Sequence, residues 1–364
     1  MRICFISLFS YPLFNEKVKA TFGGAEVQLF NIASELSKRE NIAIDFIVGD
    51  FGQGNIENIN GIRLIKTVKM QKRLGFFEKM KSFLTQFFAL IKSNADVYVQ
   101  RSAGIQTGMV SLYCLIFHKK FVYMTAHEWD CNGEYVKNNG FIGWFYKFGL
   151  KNAHIVITQS EVHRKLLLTN FSIKSQVLRS GYNVVHMNSF IKQDFVLWVA
   201  RLVEWKKPET VFEIAKSLPN TTFVMIAPDS DNESYSKKMI EEAATIKNIK
   251  LITGLPIKET NEYFKKAKLF INTSKQEGFP NTFIQAAMYG TPIISLTINP
   301  DNVLELNRIG YCAESSVDQM KSEIVSIIGN SKRYKDISHN CIEYFKANHD
   351  IKKIAADFLL LIGK

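Results

Sequence analysis

One run of residues concentrates groups suited to a charged, hydroxyl-rich ligand: Glu277-Gly-Phe-Pro-Asn-Thr-Phe-Ile-Gln285, closed by Gly290-Thr-Pro292 and the apolar Ile293–Leu296. An acid stands on a loop, a helix begins beside it, and a polar side chain follows inside the helix. Amides at a helix start attract anions. The Glu277 carboxylate accepts hydrogen bonds from hydroxyls, and Gln285 serves the same crevice. A phosphate cradle beside hydroxyl acceptors suits a sugar nucleotide. Upstream, Arg201 closes the apolar run Phe195–Ala200, and Lys206 follows across a short loop with Lys207 and Pro208 next. Ligands of open α/β sheets bind beyond the carboxyl ends of strands. Two cations there can clamp a diphosphate and neutralise charge as it leaves, although alone they read equally as solvated loop charges. Nearer the start, Phe22-Gly-Gly-Ala-Glu26 opens a helix after the first strand. Its paired glycines let backbone approach a ligand, or simply make a tight turn. His127-Glu128 follows another strand, with a hydrogen-bonded turn histidine as the plainer reading.

Taken together, these residues resemble the glycosyltransferase family 4 pattern, that of retaining enzymes with the two-lobed GT-B fold. Glu277 and Gln285 resemble its E-x7-E signature, with glutamine for the second acid. The resemblance implies that Glu277 contacts the transferred sugar and that Gln285 holds the ribose without charge assistance. Pro280 stands where the family often has glycine, which suits a first helical turn. The run Ala200–Pro208 resembles the family's R-x4-K donor-phosphate motif, with Lys207 in a usual glycine position. Gly23 and Gly24 match its glycine-rich loop, which faces the donor phosphates and the acceptor, and His127 with Glu128 its His-acid pair near sugar and acceptor. Gly278, Phe279 and Asn281 fall where the helix start meets donor phosphates, and Arg179–Asn183 retains only the glycine of a P-N-G-V-D turn.

The 364 residues suit two domains, each with its own core. The composition, 46% hydrophobic and 22% charged, is that of a globular chain, and the net charge of +12 calls for an acidic partner. No zinc-finger spacing, RNP-like motif or long basic run points to nucleic acid. Five scattered cysteines without a C-x-x-C fit a reducing cytoplasm. Met1–Leu8 reads as a first buried strand rather than a cleaved leader, and no apolar run reaches the roughly 18 residues of a membrane span.

Strand and helix alternate almost throughout, which predicts doubly wound parallel sheets. The first round has strands at Ile3–Leu8, Ile42–Val48, Ile62–Lys66, Val97–Gln100, Lys120–Thr125 and Ile155–Thr158, with helices at Ala25–Ser37, Phe76–Lys92 and Gln106–Phe117. The second has strands at Phe195–Ala200, Thr222–Ala227, Ile249–Thr253, Leu269–Thr273 and Pro292–Leu296, with His186–Asp194 as linker. The expected division is 1–187 for a Rossmann-like acceptor domain, 188–345 for a Rossmann-like nucleotide-sugar domain, and 346–364 for a helix that, as the resemblance implies, returns to the first domain.

The segment Phe76–Lys92 puts Phe76, Phe77, Met80, Phe83, Leu84, Phe87, Phe88 and Ile91 on an arc of about 140°. Lys69, Lys72 and Arg73 precede it, and Lys79, Lys81 and Lys92 flank it. Such a helix can lie on an anionic membrane or pack on its own sheet. Asp229-Ser-Asp231 offers too few ligands for a firm cation site, and no metal or cofactor is expected.

The reading is a metal-independent, retaining transferase. It would move a hexosyl-type unit from a UDP- or GDP-linked sugar to a glycan acceptor, expected to be lipid-linked, in cell-surface polysaccharide, capsule or O-antigen assembly. The resemblance implies that Arg201, Lys206, Glu277 and His127 carry catalysis, and that the chain is cytoplasmic or peripheral on the inner membrane face. A sugar-nucleotide epimerase of the same fold, or a basic binding protein without catalysis, are the alternatives.

Overall fold

The computed structural model describes residues 1–18, 20, 22–69, 75–184, 191–228 and 233–363. Two compact units divide it: residues 1–182 with 351–364, and residues 183–350. Each carries one sheet of mostly parallel strands, as the alternating pattern predicts.

The first unit contains β1 Arg2–Ile6, β2 Ala43–Asp50, β3 Ile56–Ile59, β4 Ile62–Lys69, β5 Val97–Arg101, β6 Lys120–Met124, β7 Ile155–Thr158 and β8 Gln176–Val177. Their spatial order is β3-β4-β2-β1-β5-β6-β7-β8. All neighbours are parallel except β3 and β4. That antiparallel pair turns at Asn60-Gly61, with φ of 52° and 78°, where Asn-Gly is favoured because both residues tolerate the left-handed region.

Near-continuous apolar strands place cores on both sheet faces. One core joins Ile3, Phe5, Phe46 and Val99 to the helix Gly24–Leu36 and to the last helix, Ile351–Ile362. That last helix is anchored by Ile351, Ile354, Ala355, Phe358 and Ile362, all buried. Its Ile351 amide donates to Tyr182 O at 3.0 Å, and Lys120 Nζ donates to Ile362 O at 3.1 Å, satisfying a terminal carbonyl. Full burial of Phe358 stabilises the unit by about 2–3 kcal/mol.

On the other face the helices Phe76–Ser93, Ile105–Ile116 and Gly140–Lys151 pack side by side. Gly108 and Gly149 make the closest approach possible. A Cβ at Gly149 would lie 2.4 Å from Thr107 O, a backbone atom that cannot swing away.

The second unit contains β9 Gln193–Val199, β10 Thr222–Ala227, β11 Ile249–Thr253, β12 Ala267–Asn272, β13 Ile293–Ser295 and β14 Gly310–Cys312. All its pairings are parallel, in the order β11-β10-β9-β12-β13-β14. Gln193 and Asp194, read as the end of a linker, begin β9. Residues 186–190 of that linker lie outside the described residues, as do Asp229 and Asp231.

The Phe76–Ser93 helix does not present one uniform stripe. Phe83 and Phe87 turn inward, and Phe87 meets Tyr113 at 5.6 Å between ring centroids. Phe77, Met80, Leu84, Phe88 and Ile91 point outward and are 41–77% exposed. Lys79, Lys81 and Lys92 are exposed beside them. Lys72, Arg73 and the side chain of Phe76 lie outside the described residues.

The glycine approach yields the first test. Gly149→Ala should cost about 1–3 kcal/mol in urea unfolding of the full chain, whereas alanine at the uncrowded helix glycine Gly329, whose Cβ would meet nothing within 4 Å, should leave the midpoint nearly unchanged.

Candidate functional site

In the second sheet the strand order reverses between β9 and β12. Crossovers from those two strands leave in opposite directions, so their carboxyl ends border the ligand-binding edge of a doubly wound sheet. Arg201, Lys206, Glu277 and Gln285 all lie on segments that leave this edge.

Buried side chains stitch the two exit loops together. Trp198 Nε1 donates to Thr273 Oγ1 at 2.9 Å, and Thr273 Oγ1 donates to Lys206 O at 2.7 Å. The Lys275 amide donates to Trp205 O at 2.8 Å. This framework delivers Lys206 to Glu277, and Lys206 Nζ forms an ion pair with Glu277 Oε1. Both side chains are mostly buried, at 14% and 16% exposure. Ser274 Oγ adds a second donor to the same carboxylate oxygen at 2.9 Å. Arg201 is exposed and lies over the Trp205 ring, 5.9 Å from its centroid, a cation–π contact that steadies a side chain otherwise in solvent.

Lys207 adopts φ 51°, the left-handed conformation, and precedes Pro208 at the start of the helix Pro208–Ser217. A residue other than glycine thus takes the backbone conformation glycine serves best.

Glu277 is followed by buried Gly278, Phe279 and Pro280, and the next helix runs from Asn281 to Met288. Pro280 occupies the N-cap rather than the first helical turn. The Phe279 ring packs against His349 at 5.5 Å, so only its backbone faces outward chemistry. Gln285 is buried and its Nε2 donates to Asn261 Oδ1 at 2.9 Å. The helix terminates at Gly290, φ 63°, where a Cβ would meet Ser338 Oγ at 2.8 Å.

In the first unit, Gly23 and Gly24 are exposed at the start of the helix Gly24–Leu36, and the Gly23 amide donates to Glu26 Oε2 at 2.8 Å. The His127 ring lies tilted against Trp129 at 4.7 Å between centroids, and Glu128 is exposed. Asp130 went unnoticed in the sequence, yet it organises this loop. Its carboxylate accepts from the Ala126, His127 and Ala103 amides at 2.7, 3.1 and 3.3 Å. Burial raises its pKa, and the nearby His127 charge and these amides oppose the shift. Its signal was an acid three residues after the loop histidine His127, the spacing of a capping box.

Among the described residues, no group of three or more His, Cys, Asp or Glu side chains converges as metal ligands, and no helix is long and apolar enough to cross a membrane.

The family model for glycosyl transferases group 1 matches residues 187–344. That match spans less than half of the chain. The matched stretch holds β9, β12 and every residue of the Lys206–Glu277 arrangement. Among relatives, the amylovoran biosynthesis glycosyltransferase AmsD of Erwinia amylovora is 29% identical over 189 residues, 48% of this chain and 51% of that protein. The capsular polysaccharide biosynthesis glycosyltransferase CapH of Staphylococcus aureus is 23% identical over 218 residues, 56% and 60% of the two chains. The chain spans about half the length of the curated relatives it matches. A structure of S. aureus TarM in complex with UDP superposes with a TM-score of 0.75 at 12% identity, covering 100% of both chains. Together with the two Rossmann-like sheets, this likeness gives the GT-B fold.

The ion pair gives a stability test. Lys206→Met leaves the mostly buried Glu277 with Ser274 alone, and should cost the unliganded protein about 1–3 kcal/mol in urea unfolding. Adding Glu277→Gln should recover most of that loss, because the uncompensated charge is gone.

Proposed function

We propose that the chain is a retaining glycosyltransferase that takes its sugar from a nucleoside-diphosphate donor and passes it to a glycan acceptor in polysaccharide biosynthesis. The observation that carries this reading is the Lys206–Glu277 pair at the strand-order reversal of the stretch that matches the group 1 model, with Arg201 beside it. Lys206 has further N–H donors to offer a diphosphate while keeping Glu277. Arg201 and the amides opening the helix Asn281–Met288 complete the charge balance for a departing phosphate. Glu277 then has its second oxygen for the sugar hydroxyls, and Gln285 serves the ribose. The UDP in the TarM complex and the polysaccharide role named for CapH support this donor and product class.

In the reaction, the acceptor oxygen bonds to the anomeric carbon on the face from which the diphosphate departs. The anomeric carbon–phosphate oxygen bond breaks, and a phosphate oxygen of the leaving group takes the acceptor proton. No protein base is required. What the protein adds is position and stabilisation of the leaving charge. The first unit is assigned to the acceptor, with Glu128 on the acceptor side, His127 near the transferred sugar, and Gly23 and Gly24 facing the donor phosphates as well.

Thermal unfolding with UDP, GDP and their sugars, each with and without magnesium, tests the donor assignment. One nucleoside diphosphate at about 100 times its Kd should stabilise the protein by about 2.7 kcal/mol, independently of magnesium. Absence of any shift would overturn the reading. In turnover assays with the donor so identified, Arg201→Ala should cost about 10²–10³-fold in kcat, and Gln285→Glu should tighten donor binding.

The acceptor is proposed to be lipid-linked, because the outward row Phe77, Met80, Leu84, Phe88 and Ile91 is edged by lysines. The adjoining helices expose Ile116, Phe141 and Trp144 as well. Apolar side chains entering the interface beside lysines on anionic headgroups would hold the unit on the membrane. Phe77→Glu/Phe88→Glu should lower partition onto anionic vesicles about tenfold in co-sedimentation. Because both rings are exposed, the melting temperature should hardly change; equal partition of the variant would remove the membrane assignment.

A further inference from the structure

The first sheet has its own strand-order reversal, between β1 and β5, and Arg101 is the last residue of β5. Alternation along Val97–Arg101 puts Arg101 on the side of Val97 and Val99, whose core includes the helix Gly24–Leu36. The residue is only 8% exposed. Its Nε is wholly buried without a hydrogen-bond partner, and its guanidinium forms no ion pair with the described residues. A buried arginine without such partners is rare, because the desolvation it suffers is normally offset by hydrogen bonds to an anion.

The surroundings fix the side chain without satisfying it. Gln100 Nε2 bridges the carbonyls of Arg101 and Ser102 at 2.8 and 2.7 Å, and Thr107 Oγ1 holds Gln100 Oε1 at 2.9 Å. Ser102 adopts φ 75°, an uncommon conformation for a residue with a side chain. Asp130 ties the next residue of this loop to the loop after β6 through the Ala103 amide. Glu26 and Asp130 are the carboxylates whose fields favour the charged guanidinium. Both already accept from backbone amides: Glu26 through Oε2 from Gly23, and Asp130 through its two oxygens from Ala103, Ala126 and His127. Burial lowers the Arg101 pKa to about 10, so the group stays cationic at neutral pH. Glu26 also links it to the exposed glycines, whose amides open a helix on the same ligand-binding edge.

We propose that Arg101 receives an oxyanion of the acceptor, a phosphate or a carboxylate, at the strand-order reversal of the first unit. This rests on the assignment of that unit to the acceptor. A guanidinium fork matches either oxyanion through two parallel hydrogen bonds, and the locked loop presents it without further ordering. The acceptor class is thereby narrowed from glycans in general to glycans that carry an acidic group near the receiving sugar.

The test titrates sodium phosphate and sodium acetate, at constant ionic strength, into the full chain and follows thermal unfolding. Wild type, Arg201→Ala and Arg101→Met are compared, with UDP and GDP as separate additions. Phosphate, acetate or both should stabilise wild type and Arg201→Ala, while Arg101→Met should bind the effective anion at least about tenfold more weakly. A response to phosphate alone names a phosphorylated acceptor, and to acetate alone an acidic sugar. An anion shift that survives in Arg101→Met, or no anion shift in wild type, overturns the proposal. If Arg101→Met loses cooperative unfolding, Arg101→Lys takes its place. It keeps the charge without the fork, and the same loss of about tenfold is expected. A nucleotide shift without an anion shift sinks this inference and leaves the donor reading standing. An anion shift without a nucleotide shift does the reverse.

Discussion

The constraint on which both sheets depend is the geometry of parallel pairing. A parallel strand cannot return through a tight turn, so each crossover travels over one face or the other. Where consecutive crossovers part company, the carboxyl ends of two neighbouring strands are left uncovered by helices. That happens once in each unit, between β1 and β5 and between β9 and β12. The chain puts its unusual polar groups at these two places: a mostly buried lysine–glutamate pair in one, a nearly buried arginine in the other. Elsewhere the first sheet is covered mainly by Ile, Val, Leu and Phe, with the buried Asp45 on β2 paired to Arg63 on β4.

The two places solve the problem of a buried charge differently. Lys206 and Glu277 compensate one another, and a hydroxyl from Ser274 completes the carboxylate. The relay from Trp198 through Thr273 to the Lys206 carbonyl fixes the pair from below. Arg101 is fixed as firmly, through Gln100 and Thr107, but its backbone is held while its guanidinium is not. Asp130 braces two loops with one side chain by accepting three amides, a role that costs burial of a carboxylate and needs all three donors to offset it.

Much of this was legible in the residues. Strands that are buried on both faces announce themselves as short apolar runs, and so β1, β2, β5, β6, β7, β9, β10 and β12 were found within a residue or two. The terminal helix, expected over 346–364, runs from Ile351 to Ile362. The hairpin β3–β4 was missed although Asn60-Gly61 between alternating isoleucines is its usual signature; the alternation occupies only four residues on the β3 side. β8 and β14 are too short, at two and three residues, to carry a pattern. Periodicity could not divide the Phe76–Ser93 helix, because its inward and outward phenylalanines are neighbours on the same arc, and only the packing of Tyr113 separates them. Arg101 escaped notice because a strand-ending arginine looks like an ordinary boundary charge until its burial is seen.

The placement of the four tryptophans has a practical consequence. Trp198 is sealed in the second core. Each of the others is 42–59% exposed and stands beside a different working surface: Trp205 under Arg201, Trp129 against His127, and Trp144 among the ring stack of Phe141, Phe145 and Phe148. An indole's emission shifts to the blue and changes in yield as water leaves it. The chain therefore has intrinsic fluorophores for three surfaces, and variants keeping one of these indoles at a time would let each be followed in real time without an added dye.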